Sequence, residues 1–180
     1  LTTLFLLPLH ASLDGSITED RIPSIRVDTS NEFSDTYYVA PVMEYIAVGF
    51  GLSSYRYLYN GMNFGLDFQW IESKNIKATA GALCYAFGNR NFTDIVLGTA
   101  LKSSLTVGDD RAGFIADIRS NMLFPATASG TKSAEIYMGG FFKPDKNITI
   151  ALTPGFGRYF GAEKNFFMNV ILSMEAYLWK

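Results

Sequence analysis

The chain has 180 residues, enough for one domain with a sizeable core, and its charged fraction of 18% is below the usual value of about a quarter. A formal net charge of -2 without a basic stripe excludes nucleic acid as a partner, and the single cysteine, Cys84, excludes an intrachain disulfide or a cysteine-built metal centre. The only histidine is His10, in an N-terminal apolar run, so Ser-His-Asp chemistry and His-ligated zinc are excluded from the remainder.

Residues 1–11, LTTLFLLPLHA, are too few to cross a bilayer as a helix, which takes about 20 apolar residues, and no later window supplies that length. The run has the character of a signal-peptide h-region followed by the small residues Ala11 and Ser12, which makes 1–12 a truncated signal peptide; a first strand or docked segment is the alternative. Residues 13–35 are polar and read as a leader, with a short strand at 24–27. A barrel domain is expected over 36–180.

From Tyr37 onward, turn signals divide the chain into eight segments: 37–51, 59–72, 76–87, 93–107, 112–124, 133–142, 148–159 and 166–179. The clearest is MNFGLDFQWI at 62–71. Met62, Phe64, Leu66, Phe68 and Trp70 alternate there with Asn63, Gly65, Asp67 and Gln69, which is the period of a strand and not of a helix. The last segment sets Leu172 and Met174 opposite Asn169, Ser173 and Glu175 in the same way. In the first segment Glu44 shares parity with Ile46, Val48 and Phe50, an irregularity that a bulge near Pro41 would explain. The connections ESKN, GDDR and KPDKN are tight, whereas SSYRYLYNG, GNRNF and PATASGTK are longer; GAEKN is short. Short turns at one end and longer loops at the other suit an up-and-down transmembrane barrel.

The faces decide between water and lipid. A soluble barrel needs an outer face dense in charge, yet here the polar face is mostly Gly, Ala, Ser, Thr and Asn with sparse charges. The apolar face runs for about the 9–11 residues per strand that cross a hydrocarbon core. Phe64, Leu66, Phe68, Leu172 and Met174 are therefore expected to face lipid. Tyr55, Tyr57, Tyr59, Trp70, Tyr177 and Trp179 fall near strand ends, where interfacial girdles lie.

With these features the region from about Tyr37 to Lys180 resembles the small eight-stranded outer-membrane barrels of Gram-negative-type bacteria, the OmpA/OmpX/OmpW kind. The resemblance implies an all-β, antiparallel, up-and-down eight-stranded transmembrane β-barrel in the outer membrane. It also implies membrane lipids and lipopolysaccharide and the outer-membrane assembly machinery as partners, and a monomer. Such barrels end in an outward aromatic. In the terminal AYLWK, either Leu178 takes that place and Glu175 turns inward, or Trp179 takes it and Glu175 faces lipid.

The lumen is then expected to hold Asp67, Gln69, Lys77, Lys102, Asp117, Arg119, Glu135, Asn169 and Glu175, four acids nearly balanced by three bases, with Lys77, Lys102 and Arg119 as partners for Asp67. Two roles follow: a paired network that plugs the tube, or a narrow polar path. Asp109–Asp110 belongs to a turn, and GFGRYFG has neither the helix nor the Lys-Ser/Thr of a phosphate loop. No catalytic residues, metal ligands or cofactor are expected. The expected function is structural or interactive, or the passage of small solutes; a soluble lipocalin-like barrel binding an apolar ligand is the alternative.

Overall fold

The computed structural model describes residues 23–30, 33–55, 59–89, 91, 93–125, 131–160 and 165–178. The signal-peptide expectation for 1–12 lies outside these residues. Among these residues ten strands form: β1 (Ser24–Thr29), β2 (Phe33–Met43), β3 (Ile46–Tyr55), β4 (Tyr59–Glu72), β5 (Ile76–Asn89), β6 (Ile95–Gly108), β7 (Ala112–Pro125), β8 (Thr131–Asp145), β9 (Ile148–Phe160) and β10 (Phe166–Tyr177). Each pairs antiparallel with its chain neighbours, and β1 pairs with both β2 and β10, closing an up-and-down barrel.

The expected eight strands are corrected to ten by two local features. First, the segment 37–51 is two strands. Met43 pairs with Ile46 across a tight turn at Glu44 and Tyr45, and the register slips between Pro41 and Met43. The reversal there accounts for the irregular parity of Glu44. Second, the stretch read as a polar leader contains β1 and the start of β2, so the barrel begins at Ser24. In β1, Ser24, Arg26 and Asp28 point inward while Ile25 and Thr29 are exposed. Its charges belong to the lumen.

The tight turns gather at one end, and three register slips sit beside them: Pro41/Met43, Gln69/Ile71 and Phe142/Asp145. Bulges at the rim let a strand bend into its turn. In the β6–β7 turn the Asp109 carboxylate accepts hydrogen bonds from the backbone N–H groups of Arg111 (2.8 Å) and Ala112 (2.9 Å). These bonds favour the charged form and hold the Asp109 carboxyl below the usual carboxylate range. At the other end the strands are joined by 30–32, 56–58, 90–94, 126–130 and 161–165. Two of these links are shorter than expected, because most of SSYRYLYNG continues β3 and β4 and the ends of PATASGTK continue β7 and β8.

Side-chain alternation is strict where the sequence alternates; from Ile95 to Val107 every second residue of β6 is buried. The buried set faces the lumen. Large apolar side chains face out, among them Leu66, Leu101, Ile118, Leu152 and Leu172, each more than two-fifths exposed. Inside, six aromatic residues among those described pair in direct register with a glycine on the adjacent strand: Tyr37 with Gly51, Phe87 with Gly61, Tyr85 with Gly98, Phe141 with Gly113, Tyr137 with Gly155, and Phe167 with Gly157. At Gly61, Gly98, Gly113, Gly155 and Gly157 a β-carbon would collide with the ring, and at Gly51 it would press on the ring of Tyr37. The glycines make room for rings laid along the wall.

Strand β1 is the short member of the barrel. It pairs with residues 172–177 of β10. Among the described residues no strand lies against the loop-side half of β10 on that side, and the N–H of Val170 is bonded by Oδ1 of Asn169 (2.9 Å). Without β1, β2 and β10 would both carry unpaired backbone edges, which hydrocarbon does not tolerate. A variant lacking residues 24–29 is expected to lose the fast-migrating folded band on an unheated denaturing gel, while the intact chain keeps it.

Candidate functional site: a charged lumen

The inward-facing polar residues lie on adjacent strands in register, so the sheet itself assembles the site. Lys102 and Ser104 on β6 stand opposite Arg119 and Asp117 on β7, and these face Glu135 and Tyr137 on β8. Asp117 is the junction. It accepts hydrogen bonds from Ser104 Oγ (2.5 Å) and Arg119 Nη2 (2.9 Å), and Lys102 Nζ lies 3.8 Å away. Glu135 accepts from Asn121 Nδ2 (2.6 Å), Ser133 Oγ (2.9 Å) and the Tyr137 hydroxyl (3.0 Å). The Arg119 guanidinium also sits over the Tyr137 ring, 4.8 Å from its centre. Two cations in direct register, Lys102 and Arg119, would repel, and Asp117 between them offsets this.

A second group occupies β1, β2 and β10. Arg26 Nε lies 2.8 Å from Asp28 Oδ2, and Ser24 Oγ donates to Glu175 (2.5 Å). Arg26 is in register with Glu175, and Asp28 with Asp35.

Asp67, Gln69, Lys102, Asp117, Arg119, Glu135, Asn169 and Glu175 are all buried. Asp67 lies in register with Gly81, and its carboxylate occupies the space a β-carbon would take there. Lys77 is different. It is half-buried at the turn end, in register with Glu72 and four residues along β5 from Gly81. Sequence reasoning missed Arg26, Asp28 and Asp35, because charge in a presumed leader suggested solvent. The signal available was the alternation of Ile25 and Val27 with Arg26 and Asp28. Among the described residues the buried ionisable set is therefore six acids (Asp28, Asp35, Asp67, Asp117, Glu135, Glu175) against three bases (Arg26, Lys102, Arg119). The expected near-balance is corrected to an acidic excess.

Apolar side chains close the network off. On the loop side Leu83, Tyr85, Phe87, Leu123, Tyr159 and Ile171 belong to one buried cluster, and Tyr59 and Phe167 pack against it. Towards the turns Ile115, Phe141 and Ala151 form another. Tyr59, expected in an interfacial girdle, thus faces the interior, and its hydroxyl donates to Asp94 Oδ2 (3.2 Å). Tyr177 is half-buried with inward parity, while Trp70 is 56% exposed on the outer face at the turn end. Tyr57, Trp179 and the side chain of Tyr55 lie outside the described residues. Phe64, Leu66, Phe68, Leu172 and Met174 are exposed. The β10 register turns Glu175 inward, which is the arrangement expected with Leu178 and not Trp179 as the outward terminal residue. A groove of about 700 Å³ runs along the outer wall beside Tyr38, Phe50, Leu52, Met62, Phe64 and Cys84. Among the described residues no cluster of three or more His, Cys, Asp or Glu is placed to hold a metal.

Replacing Asp117 with Ala would leave Lys102 and Arg119 without their shared carboxylate. Breaking a buried pair in this way costs about 3–5 kcal/mol. The expected result is a lower denaturant midpoint for D117A in equilibrium unfolding from lipid vesicles, with a smaller loss for S104A.

No protein-family model matches the sequence, and no curated protein matches it. Solved structures do resemble the barrel. The outer-membrane expressed OmpT of Vibrio cholerae gives a TM-score of 0.48 at 11% identity over 81% of this chain, which spans only 56% of that one. The KdgM porin in complex with disordered oligogalacturonate gives 0.49 at 11% identity, covering 87% of this chain and 98% of that one. A barrel from the de novo design of transmembrane β-barrels gives 0.37 at 11% identity, covering 87% and 93%.

Proposed function

We propose that this chain is an integral outer-membrane β-barrel whose lumen is packed shut, with a structural or interaction role. The observation that carries this reading is its inside-out surface. Phe, Leu, Ile, Met and Val cover the outside, while nine Asp, Glu, Lys and Arg side chains among the described residues are enclosed within. In water the exposed apolar surface would far exceed what a soluble monomer shows, and the charges would lie on the wrong side. In lipid both placements are favourable. A soluble lipocalin-like barrel would bury the face that is exposed here. The outer groove has the apolar lining that an acyl chain fills.

The plug takes precedence over a pore because rings and aliphatic chains occupy the lumen on both sides of the charges. Leu83, Tyr137, Ile171, Glu135 and Glu175 are each no more than 1% exposed. The polar side chains that line the lumen make a narrow small-solute pore the second reading for this chain. Conductance separates the two. The folded chain is expected to give flat traces in planar bilayers, and truncating two lumen rings, Y85A with Y137A, is expected to give steps. The acidic lumen would make those steps cation-selective, read from the reversal potential in a salt gradient. Discrete steps from the unmodified protein would remove the plug.

The outward face has its own check. Leu66 lies mid-way along β4, so Leu66→Lys would place an ammonium near the middle of the hydrocarbon at a cost of about 2–4 kcal/mol. Its folded fraction in vesicles is expected to fall, whereas normal assembly would show that the apolar face does not meet lipid.

A further inference from the structure

The outer face carries very little charge, and its two cations are together. Among the described outward-facing strand positions, only Lys132 on β8 and Arg158 on β9 are basic. Lys132 is in register with Phe160 and Ala134 with Arg158, which makes the two cations diagonal neighbours on one face. At that spacing, about 7–8 Å between Cα atoms, two long side chains can converge on a single group. Both are exposed and lie near the loop-side ends of their strands. Among the described residues no carboxylate pairs with either of them.

Their surroundings are apolar. The Arg158 guanidinium lies over the rings of Phe160 (5.8 Å) and Phe166 (5.2 Å), and Phe166 is its register partner on β10. Two rings hold the planar group against the barrel wall without neutralising it. Beside them Phe166 is 74% and Met168 87% exposed, the two most exposed of the large apolar side chains described. The patch is amphipathic: two cations next to bare apolar side chains, at the rim of a lipid-facing wall. Cations at such a rim are tolerated far better than at the bilayer centre.

We infer that Lys132 and Arg158 form a binding site for the phosphate of an anionic lipid headgroup in the loop-side leaflet, with an acyl chain of that lipid lying over Phe166 and Met168. The inference rests on the membrane-barrel reading above. Guanidinium supplies paired donors to phosphate oxygens and ammonium adds a point charge, while the neighbouring rings exclude water from the contact.

The test uses the full chain folded in phosphatidylcholine nanodiscs, with diphosphorylated lipid A titrated in as the probe and retention read by native mass spectrometry. The double variant K132Q/R158Q is expected to bind lipid A about tenfold or more weakly than the unmodified chain, as the loss of two charge-assisted contacts implies. A control variant at the opposite end, K146Q, is expected to bind unchanged. Inorganic phosphate in excess is expected not to compete, because it lacks the acyl chains; full competition would assign the patch to free phosphate and overturn the lipid proposal. Equal retention of lipid A by K132Q/R158Q, in samples that keep the heat-modifiable folded band, would overturn the headgroup site alone. Failure of the unmodified chain to enter nanodiscs would overturn the membrane reading and the site with it.

Discussion

The structure depends on the closure of its sheet, and that closure rests on the six residues of β1, which join β2 to the turn-side half of β10. A sheet in hydrocarbon cannot leave an edge open, because no water is present to satisfy its N–H and C=O groups. Strand β1 bonds to β2 on one side and to β10 on the other. Closure then fixes everything else. With a period of two, each strand has one face for the lumen and one for the outside, and a one-residue slip would exchange them. Such a slip in β10 would turn Glu175 outward and Leu172 inward, so burial of the charge and exposure of the apolar side chain reinforce the same register.

Closure also makes the charged interior workable. Ionised groups taken out of water need partners with good geometry. The sheet supplies these through register rather than through loops. Ser104 stands beside Asp117, Arg119 beside Glu135, and Arg26 beside Glu175. Each residue is placed by its own strand, so the network is only as well formed as the ladder beneath it.

The direction each strand faces was legible wherever large apolar residues alternated with small or polar ones, as in 62–70 and 95–107. Strand count was not. The reversal at Glu44 and Tyr45 contains neither Gly, Pro, Asn nor Asp, so its turn carries no punctuation of the usual kind. The outward face of β1 offers only Ile25, Val27 and Thr29, and its inward face is Ser24, Arg26 and Asp28, which resembles a solvated leader in isolation. Only the lumen of the finished barrel explains why charge stands there. Asp67 and Glu175 were recognisable as lumen residues because their strands were recognised; Asp28 and Asp35 were missed because theirs were not. Tyr59 was misassigned for another reason. Position near a strand end was read as interfacial, but parity with Asn63 turns the ring inward.

Two further strands enlarge the tube, and this links the strand count to the composition. Eight strands leave an interior that ordinary side chains just fill, and the diameter grows with each added strand. A ten-stranded lumen lined by Ser, Thr and Asn alone would therefore stand open. The chain instead places Tyr37, Tyr85, Tyr137, Phe141 and Phe167 on the inner face, each against a glycine in direct register. The ring gains a flat wall to lie on, and the glycine backbone is shielded by the ring, as in other sheets where an aromatic covers a cross-strand glycine. Inward glycines that look like weak points along single strands are thus half of a packing pair. Their partners stand on the next strand, at a position that only the register identifies.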